Sequence, residues 1–420
     1  MTTYIIRRLL LMIPTFFGIT ILVFSILQMV PGGPYEQELL RIRSQMMLSG
    51  EGGGGGGDIA MVEIPEEAKI RLKEFYGLNY PAPVRYLIWL GVWPKEIDNH
   101  EVAFELGATE SAFQLKKTQT LLVRQEEDDF AVYNPDGSEA DNWRARQLST
   151  DDVTGAPNVK IYKRKLSGIL TGNLGVSYKY AEPVWTLIKD RIHISAYFGL
   201  ISFFLSYLIC IPLGISKALR HGSRFDTISS VIVFVGYSTP GWILGALLLV
   251  YFGGGSFWDV FPLGEFRSEY FEYMTFWEKI GDQLHHTILP VTAYMVAAFA
   301  TLTVLMKNSL LENLSQDYVR TAFAKGLSEK RVVFFHTVRN SLIPIATGIG
   351  GLLGVWLAGS YLIEKVFNIQ GIGLLSYMAV INRDYPIVMG FMVIGTMIRL
   401  MGNLTSDMAY AAIDPRIRFK

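Results

Sequence analysis

The chain has 420 residues, of which 50% are hydrophobic and 18% charged, and its 38 basic residues balance 38 acidic ones. Zero formal charge gives no electrostatic case for binding nucleic acid. A mean hydropathy of +0.28 is too apolar for an ordinary soluble chain and too polar for one lying wholly in lipid. The single cysteine, Cys210, excludes a disulfide within the chain.

A helix needs roughly 20 apolar residues to cross a bilayer. Leu9–Val30, Ser195–Ile215, Thr227–Phe252, Thr287–Met306 and Ser341–Ile363 each satisfy this without a charge, and Ile387–Ile413 does so around Arg399 and Asp407. Arg7 and Arg8 resemble the basic start of a secretory signal. The apolar stretch after them is too long for one, however, and no small-x-small site follows. Val30-Pro31-Gly32-Gly33-Pro34 reads as a helix stop, so residues 1–34 are expected to be an uncleaved membrane helix. The fold expected is an all-α polytopic membrane protein with six transmembrane helices. Lys and Arg mark the inner side of short loops. Fourteen of them fall on the two termini and the loops after spans two and four, against four on the two short opposite loops. Both termini and the loop after span four are therefore expected on the cytoplasmic side.

Residues 35–194 then lie outside. Gly52–Gly57 is a run of glycines that reads as a flexible linker, and it is no phosphate loop because no Gly-Lys-Ser/Thr follows. The pattern predicts a short amphipathic helix over Pro65–Tyr76 ending at Gly77. It predicts strands over Thr118–Arg124, Phe130–Tyr133 and Val159–Lys163, with a turn at Asn134-Pro135-Asp136-Gly137. This outer part is expected to be a small α+β module placed between helices 1 and 2. It either contacts a soluble partner or substrate, or is a solvated decoration. Residues 195–420 form the five-helix core.

No catalytic constellation is present, neither Gly-x-Ser-x-Gly nor His-Glu-x-x-His. His285 and His286 lack further ligands for a metal and read as interfacial polar residues. Within span six, Asn403 is one turn from both Arg399 and Asp407, so the three share a helix face. They either line a polar pathway or, for Asp407, hydrogen-bond a neighbouring helix near the inner end. Pro240 is central in span three, within Tyr237-Ser238-Thr239-Pro240, and breaks it at mid-membrane. The freed carbonyls need partners, so this segment either lines a pathway or is a kinked packing helix. Gly350 and Gly354 of span five are spaced for close helix contact.

Lys307–Asn340 is a long, basic, polar island between spans four and five. Asp317 is an N-cap or first-turn acid and Gly326 a helix stop. Ser328 caps a second helix, with Phe335, Val338 and Leu342 on one face leading into span five. The island is either a docking element for a partner or an amphipathic helix lying on lipid headgroups.

Asp-Tyr-Val-Arg-Thr-Ala-Phe-Ala-Lys-Gly-Leu-Ser at 317–328, followed by Arg339-Asn340-Ser341-Leu342-Ile343-Pro344, resembles the coupling segment of the dipeptide/oligopeptide importer permeases. These are membrane subunits of ATP-binding-cassette importers. Further matches run in family order: Arg7-Arg8-Leu9-Leu10, Pro31-Gly32-Gly33-Pro34, Tyr76-Gly77-Leu78-Asn79-Tyr80-Pro81, Gly172-Asn173-Leu174-Gly175-Val176-Ser177, Ile211-Pro212-Leu213-Gly214, Ile363-Glu364-Lys365-Val366-Phe367, Arg383-Asp384-Tyr385-Pro386 and Asp414-Pro415-Arg416. The Pro-Gly-Gly-Pro start and Gly222-Ser223-Arg224-Phe225-Asp226 are most similar to the microcin C/oligopeptide branch. The chain departs from the family by an insertion over about Val92–Ser167 and by Arg399, which stands where an apolar residue is usual.

The resemblance implies a type I importer permease of the inner (plasma) membrane, in contact with lipid. It would pair with a second, similar permease around a central path, to which Tyr237, Ser238, Thr239, Pro240 and Arg399 are candidates. Two cytoplasmic ATPase subunits would grip helix 317–326 through Asp317, Tyr318, Arg320, Thr321, Ala322, Ala324, Lys325 and Gly326. An external solute-binding protein would deliver a peptide. ATP and magnesium would be used by the partners, and this chain would bind no cofactor and no metal and catalyse no reaction. Nickel or a sugar oligomer is the alternative cargo. A secondary transporter is the alternative class, although no inverted repeat is visible.

Overall fold

Proline sets the start of several helices in this chain. The computed structural model describes residues 2–48, 64–116, 119–126, 129–150, 155–254, 257–346 and 359–413. Helix α1 (Thr2–Met29) stops just ahead of Pro31, and α2 (Pro34–Leu48) begins on Pro34, where the missing N–H would have had no partner. Helices α3 (Glu66–Phe75) and α4 (Ala82–Leu90) follow Pro65 and Pro81 in the same way. The glycine run at 52–57 lies outside the described residues. The chain divides into two compact units, Phe24–Gly175 and the combination of Met1–Val23 with Val176–Lys420.

In the unit Phe24–Gly175, residues between α4 and Gly168 form six strands: β1 (Lys95–Ala103), β2 (Glu110–Lys116), β3 (Gln119–Glu126), β4 (Asp129–Tyr133), β5 (Trp143–Thr150) and β6 (Pro157–Lys165). They pair antiparallel as two sheets, in the orders β1-β6-β5 and β2-β3-β4. The strands predicted from sequence are β3, β4 and β6. Strand β1 escapes the pattern because Asp98 and Asn99, turn-favouring residues, sit in its middle, where the pairing shifts and Asp98 takes φ +53°. Leu121, Val123, Val159 and Ile161 are fully buried in the module's core with Phe104 and Trp143. Strand β6 is central in its sheet, and its consecutive buried residues Val159–Tyr162 show that both its faces are covered, with Lys160 buried opposite that core.

Lys160 Nζ lies 3.2 Å from Glu74 of α3 and 3.1 Å from Glu96 of β1, while Arg146 of β5 pairs with the same two carboxylates. Tyr80, in the Tyr76–Pro81 motif, donates to Glu96 at 2.7 Å. Burial and the Glu96 carboxylate push the Tyr80 hydroxyl up to about 12. Burial opposes charge on Glu96, yet Tyr80, Lys160 and Arg146 together hold it below the usual carboxylate range. A depressed carboxylate contributes stability above its unfolded value, and that contribution is lost as pH falls through the folded value. The module leaves the helices and returns to them at one point. A Cβ on Gly168 would fall 2.4 Å from the Gly91 nitrogen and the Trp89 carbonyl, so only glycine allows the two strands of chain to meet.

In the other unit, α5 (Val184–Leu219) packs along α8 (Phe276–Leu314), with Phe198, Leu289, Val291 and Ala293 in a core shared with Ile363 and Phe367. Among the described residues, three stretches are long and apolar enough to cross a membrane: Tyr4–Met47, Val184–Leu219 and Tyr385–Thr405. Two bent pairs also qualify if each is one span: α6 (Arg224–Ser238) with α7 (Gly241–Phe252) at 97°, and Phe276–Val296 with Ala298–Leu314 at 54°. The expected span 341–363, with Gly350 and Gly354, falls largely outside the described residues. Helices α10 (Tyr361–Val366), α11 (Ile372–Ile381) and α12 (Tyr385–Ile413) complete the unit.

Lys160→Met leaves Glu74 and Glu96 buried with Arg146 as their remaining cation, a loss expected to cost about 3–5 kcal/mol. Amide hydrogen exchange in β1 and β6 should quicken while that of α5 and α8 stays unchanged; unaltered exchange in the strands would refute the role given to this network.

Candidate functional site

The island after span four begins inside a helix, since α8 continues past Lys307 to Leu314. Helix α9 (Asp317–Ala324) follows. Its N-cap is Gln316, whose extended backbone accepts from Val319 N at 3.1 Å. Asp317 is therefore not the N-cap but the first-turn acid, where its charge favours the positive helix end. At the other end, Gly326 N donates to Phe323 O at 2.9 Å and Leu327 N to Ala322 O at 3.4 Å, the two bonds of a Schellman stop. Gly326 holds φ +79°, and a Cβ there would meet open space, so the requirement for glycine is one of backbone conformation rather than room.

The Schellman stop folds Leu327 back onto Val319, Ala322 and Val332, which form a small buried cluster. Val319 is 2% exposed and Val332 is 0% exposed. The opposite face of α9 carries Tyr318, Arg320, Thr321, Phe323, Ala324 and Lys325, all exposed. Of the candidate docking residues, Ala322 alone among those on the helix is buried, where it fixes the seat instead of facing outward. Arg320 reaches back to Asp317 at 3.8 Å, and Tyr318 donates to Asn313 of α8 at 2.9 Å.

Ser328 stands at the N-cap position of the next helix but makes no side-chain cap bond. After Glu329–Arg331 the backbone widens into a π-helix over Val332–Thr337, with the Thr337 hydroxyl donating to Val332 O at 3.1 Å. This corrects the expected face. Burial recurs from Val332 and Val333 to Thr337 and Val338, five residues on, so Val338 faces inward while Phe335 is 72% exposed. Val333 and Val338 join Met306 and Leu310 of α8 and Ala218 of α5 in one core. Ser309 and Ser341 exchange hydroxyl-to-carbonyl bonds at 3.0 and 3.3 Å across the same joint. The α9 cluster and the α8–α5 core thus meet at consecutive residues of the π-helical turn, Val332 in the first and Val333 in the second.

The other candidates are more scattered. Helix α6 ends at Ser238 and α7 begins after Pro240, as expected for a break. The Ser238 and Thr239 hydroxyls donate to Phe234 O at 3.0 Å and Val235 O at 3.1 Å, which supplies partners to carbonyls at the broken end. Tyr237, Ser238 and Pro240 are exposed on the chain, as is Arg399, which has no ion pair or hydrogen bond among the described residues. Asp407 does not share a site with Arg399. It accepts from Tyr4 at 2.8 Å and pairs with Arg8 at 3.0 Å, both on α1. His286 Nδ1 donates to Gly264 O at 2.9 Å and His285 bonds Val260 O, so these histidines fasten loop backbone to α8.

Two motif acids have structural jobs that spacing alone does not reveal. Asp384 is buried and accepts from Ser177 Oγ at 2.5 Å and Lys179 N at 3.2 Å, which joins the 172–177 and 383–386 motifs. Glu364 accepts from Ser195 Oγ at 2.9 Å and Leu374 N at 2.6 Å, so it ties α10 to α5 and α11.

Residues 210–419 match the family model described as "Binding-protein-dependent transport system inner membrane component". The chain belongs to that family. It is 34% identical over 424 residues to the peptidoglycan transport system permease protein YejB of Agrobacterium fabrum, covering 100% of this chain and 99% of that one. It is also 34% identical over 425 residues to the inner membrane ABC transporter permease protein YejB of Escherichia coli O157:H7, covering both in full. Identity to the oligopeptide transport system permease protein AppB of Bacillus subtilis is 28% over 420 residues, again covering both in full. A solved chain of the MetNI methionine ABC transporter superposes with a TM-score of only 0.40 at 14% identity, over 55% of this chain and 97% of its own, too loose a likeness to inform the fold.

Gly326→Val forces a β-branched residue into the left-handed region at a cost of about 1–2 kcal/mol, whereas Gly326→Asn tolerates it. Hydrogen exchange over 317–327 should accelerate in the valine variant and stay near wild type with asparagine. Equal behaviour of the two would contradict a conformational role for this glycine.

Proposed function

We propose that this chain is the permease subunit of an ATP-driven importer for short peptides. The observation that carries this reading is α9: a helix held rigidly by Val319 and Ala322 whose other face offers Tyr318, Arg320, Phe323 and Lys325 to a partner, in a chain of the binding-protein-dependent family. A lipid-bound helix would put its apolar side into the membrane, but here the small apolar side is spent on the protein itself. The partner is a cytoplasmic ATPase subunit, present twice, and ATP and magnesium act there. The relatives' names run from peptidoglycan to oligopeptide transport, and what unites them is peptide chemistry.

The finer architecture follows the same reading. Six helices cross the inner membrane, with both termini cytoplasmic. A second, homologous permease closes the path, with Tyr237–Pro240 and Arg399 facing it. The strand module of residues 95–165 is an outer insertion between helices 1 and 2, on the side where a solute-binding protein delivers the peptide. Its closed joint at Gly91 and Gly168 supports this, since a module that begins and ends at one point adds onto a core without parting it.

Arg320 is exposed, so reversing its charge leaves the fold intact while placing a like charge or an unpaired one at the docking face. Arg320→Glu should insert into membranes as the wild type does but retain about tenfold less ATPase subunit on co-purification. Unchanged co-purification would overturn the assignment of α9.

A further inference from the structure

A single carboxylate binds together the ends of three helices just ahead of the coupling joint. Asp226, in the first turn of α6, is 5% exposed. Lys307 of α8 places its Nζ 2.7 and 2.8 Å from the two carboxylate oxygens. Lys217 of α5, 1% exposed, lies 3.2 Å from Oδ1 and also donates to Asp226 O at 3.0 Å, Ser229 Oγ at 2.8 Å and Ser230 Oγ at 2.7 Å. Gly222 N donates to Oδ2 at 3.1 Å, and His221 Nδ1 lies 3.4 Å away. Every polar atom of the Lys217–Asp226 pair is thus directed, and the loop between α5 and α6 is wrapped around the carboxylate.

Buried ion pairs are a poor source of net stability, because desolvating the charges offsets most of their attraction. What they supply is geometry, since two ammonium groups and an amide from α5, α8 and the loop between α5 and α6 are all directed at one carboxylate. The location gives that geometry a consequence. Lys307 follows Met306, whose side chain crosses α5 at Gly214, where a Cβ would come within 2.6 Å. Met306 and Leu310 then pack with Val333, beside the Val332 seat of α9. The carboxylate therefore holds α8 against α5 and α6 just before the turns of α8 that pack with Val333, the neighbour of the Val332 seat.

We propose that Asp226 is a positioning residue for energy coupling: it locks the ends of α5, α6 and α8 so that a displacement of α9 moves these helices as one body. This rests on the reading of α9 as the ATPase-docking helix. Without the lock, force applied at α9 would turn or bend the end of α8 against α6 instead of moving the three helices together.

The test uses the full chain in lipid nanodiscs and asks two questions. Spin labels at Leu219→Cys and Lys330→Cys, both exposed positions, report the geometry between the end of α5 and the coupling segment, while Cys210 is buried and takes no label. The wild type and Asp226→Glu should give one narrow distance distribution, and Asp226→Asn a broad one. In the complex assembled with its ATPase and partner permease, radiolabelled trialanine moved per ATP hydrolysed should fall about tenfold in Asp226→Asn and in Lys307→Met, and stay within about twofold in Asp226→Glu, as expected for losing a buried counter-charge against keeping it. Lys307→Met retains the Lys217 pair and serves if Asp226→Asn does not fold. A narrow distribution in Asp226→Asn, or an unchanged transport ratio beside a broad one, overturns the proposal. If the wild-type complex shows no ATP-coupled uptake, the importer reading fails, and the distance measurement alone decides whether Asp226 positions the segment.

Discussion

A helix lying beside a membrane bundle can pass on a push only if it is seated on something that does not yield. In this chain the seat is the contact of Val319 and Ala322 with Val332, closed by Leu327 as the chain turns back at Gly326. Burying one such valine is worth about 1.5–3 kcal/mol, enough to hold a short helix that could not stand alone in water. Everything else that bears on coupling depends on that contact. It ties α9 to the π-helical turn 332–337, the turn to Met306 and Leu310, and these to Ala218 on α5. The connection passes from one packed cluster to the next through the backbone of the π-helical turn, at Val332 and Val333.

The same economy recurs where the chain is interrupted. Pro240 breaks span three, and two neighbouring hydroxyls satisfy carbonyls at the broken end. The stretch after residue 358 is held by Glu364, which accepts from α5 and α11, and the start of α12 by Asp384, which accepts from the Ser177 turn. In each case a polar side chain serves backbone or a hydroxyl that lipid could not satisfy. Several of the sequence motifs are therefore fasteners, and the candidate contact residues that stay exposed are fewer: the outer face of α9, Tyr237, Ser238, Pro240 and Arg399.

Much of this was legible in the sequence because helices announce themselves locally. The apolar stretches, the Pro240 break, the Gly326 stop and strands β3, β4 and β6 all follow from patterns a few residues long. The π-helical turn did not, because its extra residue changes the period from within a run that reads as ordinary helix, and Phe335 was placed on the wrong face as a result. Strand β1 was hidden by turn-forming residues that the fold uses as a bulge. The joints of Ser177 with Asp384, of Ser195 with Glu364, and of Lys217 and Lys307 with Asp226 were invisible for a different reason. Their partners lie far apart in the chain, and nothing local distinguishes a buried Lys217 from the other basic residues of its loop.

Cargo crosses this permease at the expense of ATP hydrolysed by a separate subunit. Uptake of a radiolabelled short peptide by proteoliposomes holding the assembled complex, with ion gradients collapsed by ionophores, tests it most directly. Uptake should persist without gradients and stop when ATP is replaced by a non-hydrolysable analogue. Uptake that follows an ion gradient and ignores ATP would contradict it.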